Sequence, residues 1–143
     1  MKKTEFIIAH GHENIRSTNR TTFEITKETH LTKRGDCIIA VDSTKGAAEL
    51  SQQFKDIARN ESTQITIELE ADGEKEIVKA WGSPELSFTH STDLVVRRSN
   101  FVCNRTLAIR ADKAACDFSN GIVERLRNPN QKVKVTVTAE RSI

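Results

Sequence analysis

Apolar residues fall at every second position in several stretches of the chain. Ile65, Ile67 and Leu69 do so between Thr63 and Leu69, Val133, Val135 and Val137 do so near the end, and Phe23 and Ile25 do so early on. A period of two marks strands that keep one face in a core and one in solvent. Cys37-Ile38-Ile39-Ala40-Val41 is apolar without interruption, which predicts a short central strand buried on both faces, and Leu107-Ala108-Ile109 reads the same way. Ala47, Leu50, Phe54 and Ile57 lie at helical spacing, as do Ala115, Phe118, Ile122 and Leu126. Each set predicts a helix with one apolar stripe laid on a sheet. Thr44 and Asp112 stand ahead of these helices as expected caps. Asp72-Gly73 separates the strand ending at Leu69 from the one over Glu76 to Ala80, so a hairpin is expected there.

The same pattern occurs twice. Ile39–Leu69 lies without a gap over Leu107–Val137 at a constant offset of 68 residues, with Ala40, Lys45, Ala47, Ser51, Arg59 and Asn60 recurring as Ala108, Lys113, Ala115, Ser119, Arg127 and Asn128. Upstream, Phe6–Ile25 matches Ile77–Val96 at an offset of 71, pairing Gly11 with Gly82, Thr18 with Thr89 and Thr21 with Thr92. The expectation is an α+β protein in one domain, built from two repeats at about 5–70 and 76–138. Each repeat runs strand, strand, strand, helix, strand, and alone is too small to bury its apolar face. Two architectures suit such a unit: a pseudo-twofold β-barrel flanked by two helices, favoured by the Gly35-Asp36 step before the buried strand, and an open two-layer α/β sandwich with both helices on one face.

Composition narrows the functional classes. Hydrophobic residues make up 36% of the 143 and charged residues 29%, values of an ordinary globular chain. No apolar run reaches the roughly 18 residues of a membrane span, and Phe6-Ile7-Ile8-Ala9 is too short for a secretory core, so a cytoplasmic address without membrane association is expected. Cys37, Cys103 and Cys116 are odd in number and lack zinc-ligand spacing. A net charge of +2 announces no nucleic-acid partner by itself, although local basic patches can do so.

Candidate chemistry falls in three places. His10-Gly11-His12 puts two imidazoles near one another, a weak metal pair for which His30, His90, Glu13 and Cys37 are the only plausible supplementary ligands. Lys45 and Lys113, each read as opening a helix and joined in the second half by Arg110 and Asp112, suggest an anion site for a phosphorylated small molecule or RNA. His12 as acid or base, with Arg34 and Asp36 orienting a substrate, is the enzymatic alternative. A protein-interaction domain without a small-molecule site is a third reading. No phosphate-cradling loop or dinucleotide fingerprint occurs and no cofactor is implied. RNA contacts, if made, would come from basic groups such as Arg97, Arg98, Arg105 and Arg110, because the chain has six Phe, one Trp and no Tyr for stacking.

Three stretches, Gly11-His12-Glu13-Asn14-Ile15, Leu31 to Ile39 and Leu107 to Ala115, resemble an archaeal family known as domain of unknown function 371. The similarity runs over nearly the whole chain. It implies a stand-alone cytosolic archaeal protein with no assigned activity. On that family's pattern a Gly-His-Pro is expected in the second half, where this chain has Gly82-Ser83-Pro84.

Overall fold

Eight strands and two short helices form two sheets in the computed structural model, which describes residues 1–142. The antiparallel sheet has the order β1-β8-β4-β5, made of β1 (Lys2–His10), β8 (Lys132–Glu140), β4 (Gln64–Ala71) and β5 (Glu74–Trp81). The mixed sheet has the order β3-β2-β6-β7, made of β3 (Ile38–Ala40), β2 (Thr22–Thr26), β6 (Asp93–Arg97) and β7 (Thr106–Ala108). In the mixed sheet β2 and β6 are antiparallel, while β3 joins β2 and β7 joins β6 in parallel. Each half therefore passes through the same succession of elements, ending in α1 (Gln52–Ala58) and β4 or in α2 (Asn120–Leu126) and β8.

Strict alternation leaves β4 and β8 with a single buried face, formed by Ile65, Ile67, Leu69, Ala71, Val133, Val135, Val137 and Ala139. Both helices share that face, α1 against β1 and β8 and α2 against β4 and β5. Phe23, Ile25, Leu94 and Val96 of the mixed sheet meet them in one hydrophobic core drawn from both halves. Asp72 and Gly73 adopt positive φ values of 50° and 81°, the turn that an Asp-Gly pair favours between β4 and β5. Pairing sets Glu24 opposite Val95 and Glu68 opposite Thr136. Both are also matched positions at the offsets of 71 and 68, so the halves face each other about these two points.

Several sequence expectations need correction. The barrel is not closed: the sheets touch at their corners only through single bridges, His10 with Val41 and Trp81 with Ile109. β3 and β7 are three residues long, and the chain turns at Asp42 and Arg110 in the left-handed region, φ 52° and 51°, which ends each ladder. The open sandwich describes the antiparallel sheet and its helices but leaves out the second sheet. Within the Cys37–Val41 stretch Ile38–Ala40 forms an edge strand, not a central one, and Ile39, Ala40 and Val41 are buried at the corner between sheets while Cys37 and Ile38 are half-buried. The helices start later than expected. Residues 47–49 and 115–117 are single 3-10 turns, and the α-helices are capped by Ser51 and Ser119, whose hydroxyls accept the Phe54 and Ile122 amides. Thr44 and Asp112 cap strands instead, accepting the Ile8 and Lys79 amides at the edges of β1 and β5.

Recurring residues have recurring tasks. A Cβ on Gly11 would collide with the Leu126 and Asn128 carbonyls, and one on Gly82 with those of Ala58 and Asn60; only glycine lets each corner press on the helix end of the other half. Arg59 Nε donates to the Leu86 carbonyl at 2.8 Å and Arg127 Nε to that of Ile15 at 3.0 Å, tying the same junctions.

Candidate functional site

Lys45 and Lys113 are each paired with a buried carboxylate. Lys45 Nζ lies 2.9 Å from Glu5 Oε2 while Glu5 Oε1 accepts the Ser51 amide at 2.6 Å; Lys113, Glu76 and Ser119 repeat this at 2.9 and 2.7 Å. Glu5 and Glu76 are 4% and 8% exposed, and burial of a carboxylate demands a partner. Burial alone would push the Glu5 carboxyl up, but the bonds from Lys45 and Ser51 outweigh it and hold the group below its ordinary value. The lysines thus serve the core. They also stand at opposite edges of the antiparallel sheet, beside β1 and β5, roughly 14 Å apart at the usual strand spacing, so one phosphate group cannot bridge them.

His12, Arg34 and Asp36 form no hydrogen bond with one another among the described residues. His12 Nδ1 accepts the Asn14 amide at 3.0 Å, as Ser83 Oγ accepts the Glu85 amide at 3.2 Å in the matched turn. Asp36 accepts from Asn19 Nδ2 at 3.2 Å, and Arg34 is exposed. His10 Nδ1 faces Asp42 at 3.4 Å, and no group of three metal-ligating side chains occurs among the described residues. Arg110 lies over Trp81, 5.6 Å from the ring centroid, and donates to the Glu61 carbonyl at 3.3 Å. Those two residues line an open depression shared with Glu61 and Ser62. At the matched corner His10 and Asp42 take the places of Trp81 and Arg110.

A more distinctive surface involves residues that sequence reasoning passed over. Arg16, Arg20 and Arg127 surround a cavity of about 370 Å³ whose wall is completed by Ser17, Thr18, Cys116, Phe118, Asn120 and Val123, with no carboxylate among them. No ion pair engages the three arginines among the described residues. Arg127 is held by its Nε bond to Ile15, leaving its terminal nitrogens to the opening. A second depression of about 240 Å³, lined by Glu13, Asn14, Ile15, Arg16, Lys33 and Arg127, adjoins the first through the shared Arg16 and Arg127.

The matched place in the other half is closed. Ser17, with φ 56°, corresponds to Phe88, with φ 53°. Phe88 is 1% exposed, packs edge-on against Phe54 at 6.2 Å and lies under Arg59 at 5.5 Å. Ser17 is too small to fill the equivalent space and bonds to the Ala115 carbonyl at 2.7 Å. Arg16 and Arg20 correspond to Ser87 and Ser91. This loss of bulk and gain of charge in one copy was visible in the sequence, had matched positions been compared for their differences.

A second asymmetric cluster sits on the outer face of the mixed sheet. Arg105 Nη1 lies 3.3 Å from both Glu24 Oε1 and Asp93 Oδ2, and Thr26 donates to Asp93 Oδ1 at 2.8 Å. Burial, helped by the neighbouring Asp93 charge and only partly offset by Arg105, pushes the Glu24 carboxyl up to about 7. Burial also raises the Cys37 thiol, aided by Glu24. Cys103 goes the other way, to about 7, because the Arg105 amide, the Thr106 hydroxyl and Arg97 outweigh its burial. Loops 27–37 and 98–105 precede the edge strands of this sheet. Glu24 and Asp93 are 6% and 8% exposed, so this is a buried charge network and not an open cleft.

No helix is long and apolar enough to cross a membrane. An uncharacterized protein of the archaeon Methanocaldococcus jannaschii, MJ0206, is 42% identical over 130 residues, covering 90% of this chain and 96% of that protein. Residues 7–140 match the family model described as domain of unknown function DUF371, and the chain belongs to that family.

Proposed function

We propose that the protein is a binding module for a phosphate-bearing ligand, and that the ligand is gripped by Arg16, Arg20 and Arg127. The observation that carries this is a cavity rimmed by three arginines without a carboxylate. Guanidinium groups present several donors in a planar fork that suits phosphate oxygens, and near the surface a local cluster raises anion concentration whatever the net charge. Thr18 and Asn120 add neutral donors. This keeps the anion-binding reading while moving it from Lys45, Lys113, Arg110 and Asp112. For the enzymatic reading, His12 and Asp36 bond to Asn14 and Asn19 and not, among the described residues, to each other or to Arg34.

We also propose that the module is one domain made of two copies of an ancestral unit. The paired Glu-Lys-Ser and Gly-Arg contacts support this, and one copy became the binding side.

Cys116 is exposed and lines the cavity, so it reports on occupancy. Alkylation by iodoacetamide, followed peptide by peptide, is expected to slow at Cys116 in millimolar ADP and not in adenosine. Arg16→Ala with Arg20→Ala is expected to cancel the protection without moving Tm, since neither side chain bonds to the protein. Equal alkylation with and without ADP would overturn the proposal.

A further inference from the structure

The ligand's class follows from how the arginine cavity continues. We infer that the site takes a single RNA strand, held through consecutive backbone phosphates and indifferent to base sequence; this rests on the phosphate-binding reading above. Arg16 and Arg127 belong to both depressions. The surface is therefore a track running from Arg20 through these two residues to Lys33, with Glu13 the one carboxylate in its lining, and it is longer than one phosphate needs. A chain of linked phosphates occupies such a track; a mononucleotide occupies one end. Of the wall's less polar side chains Phe118 and Val123 are buried, at 5% and 8% exposure, and exposed Cys116 is the one that the sugars of a nucleotide strand can cover.

What is missing along the track leaves phosphate contacts, which carry no base sequence, as the source of affinity. Sequence-tolerant stacking on RNA uses exposed aromatic faces. The exposed aromatics are Phe6, Trp81 and Phe101, at 72%, 37% and 59%, and none of them lines either depression. Phe118, which does, is 5% exposed and engaged with Phe23 at 5.1 Å. Affinity must come from cations on phosphates, and such binding weakens with salt in proportion to the phosphates neutralised.

Fluorescence anisotropy of a labelled twelve-nucleotide oligouridine tests this, with ADP as competitor and oligoadenosine and inorganic polyphosphate as parallel probes. The expected result is oligouridine binding at least about 10-fold tighter than ADP, oligoadenosine within about 3-fold of oligouridine, and a log K against log salt slope of roughly −3 for four cations on a single strand. Lys33→Ala lies outside the first cavity. It is expected to reduce the slope by roughly 0.7 for the oligonucleotide and to leave ADP protection of Cys116 unchanged. If ADP protects Cys116 but the strand binds no tighter, or if polyphosphate binds and oligouridine does not, the RNA inference fails while the phosphate site stands. If neither ADP nor the strand protects Cys116, both fail.

Discussion

The two sides of the molecule share a frame and differ in what fills it. On one side Phe88 plugs the space beneath the turn, Arg59 lies over its ring and donates to the Leu86 and Ser87 carbonyls, and the surface outside carries Ser87 and Ser91. On the other, Ser17 leaves the space open, and Arg16 and Arg20 rim it together with Arg127. Identical residues persist where both halves need the same contact: glycine against a helix end, lysine beneath a buried glutamate, serine at a helix start. Function is to be sought where the halves part.

The largest expected effect is on the plugged side. Phe88→Ala should cost about 3–5 kcal/mol, because it empties a core site, whereas Ser17→Ala at the open site removes one hydrogen bond and should cost about 1 kcal/mol. Denaturant unfolding of both variants measures the difference; equal losses would mean that the sides are packed alike.

Next comes the mixed sheet, where Glu24 stands opposite its counterpart Val95. The folded carboxyl titrates near 7 against a reference of 4.5. The folded state thus holds its proton more tightly, and the stability linked to it is fully present below about 4.5 and is lost as pH rises through about 7. The shift corresponds to about 3 kcal/mol. Glu24→Gln should raise Tm at pH 8.5 relative to the parent and change it little at pH 4.5. A stability gain of equal size at both values would contradict this assignment.

The matched ion pairs should respond alike. Lys45→Met and Lys113→Met each leave a buried carboxylate with only a backbone donor and should each cost about 2 kcal/mol, discounted from the loss at a fully buried pair because the ammoniums are partly exposed. Standing at opposite edges, the two losses should add within about 0.5 kcal/mol. A double variant no less stable than the parent would return both lysines to ligand duty. The smallest effect is expected at the corners, where Arg110→Ala removes an exposed cation from the face of Trp81, worth about 0.5–1 kcal/mol and visible as a change in tryptophan emission.

Periodicity made the strands, the helical stripes and the Asp-Gly hairpin legible, because one buried face writes its period directly into the sequence. The like succession of elements in the two halves was legible for the same reason. The split into two sheets was not: it depends on turns at Asp42 and Arg110, which carry no glycine to mark their positive φ. The ion pairs of Lys45 and Lys113 were hidden because their partners Glu5 and Glu76 lie 40 and 37 residues away, so each lysine read as a free cation. Glu24 and Asp93 were missed, and Arg105 was read as a free cation for RNA, for the same cause: Arg105 bonds to Glu24 across 81 residues. Glu24 and Thr26 alternate with Phe23 and Ile25 as solvent-facing positions would, yet both are buried.

Hydrogen–deuterium exchange with and without the oligonucleotide compares the two sides within one molecule. The account predicts slowed exchange in residues 14–20 and 116–127 and none in the matched residues 85–91 and 48–59. Protection of both sides alike, or of the Phe88 side alone, would contradict it.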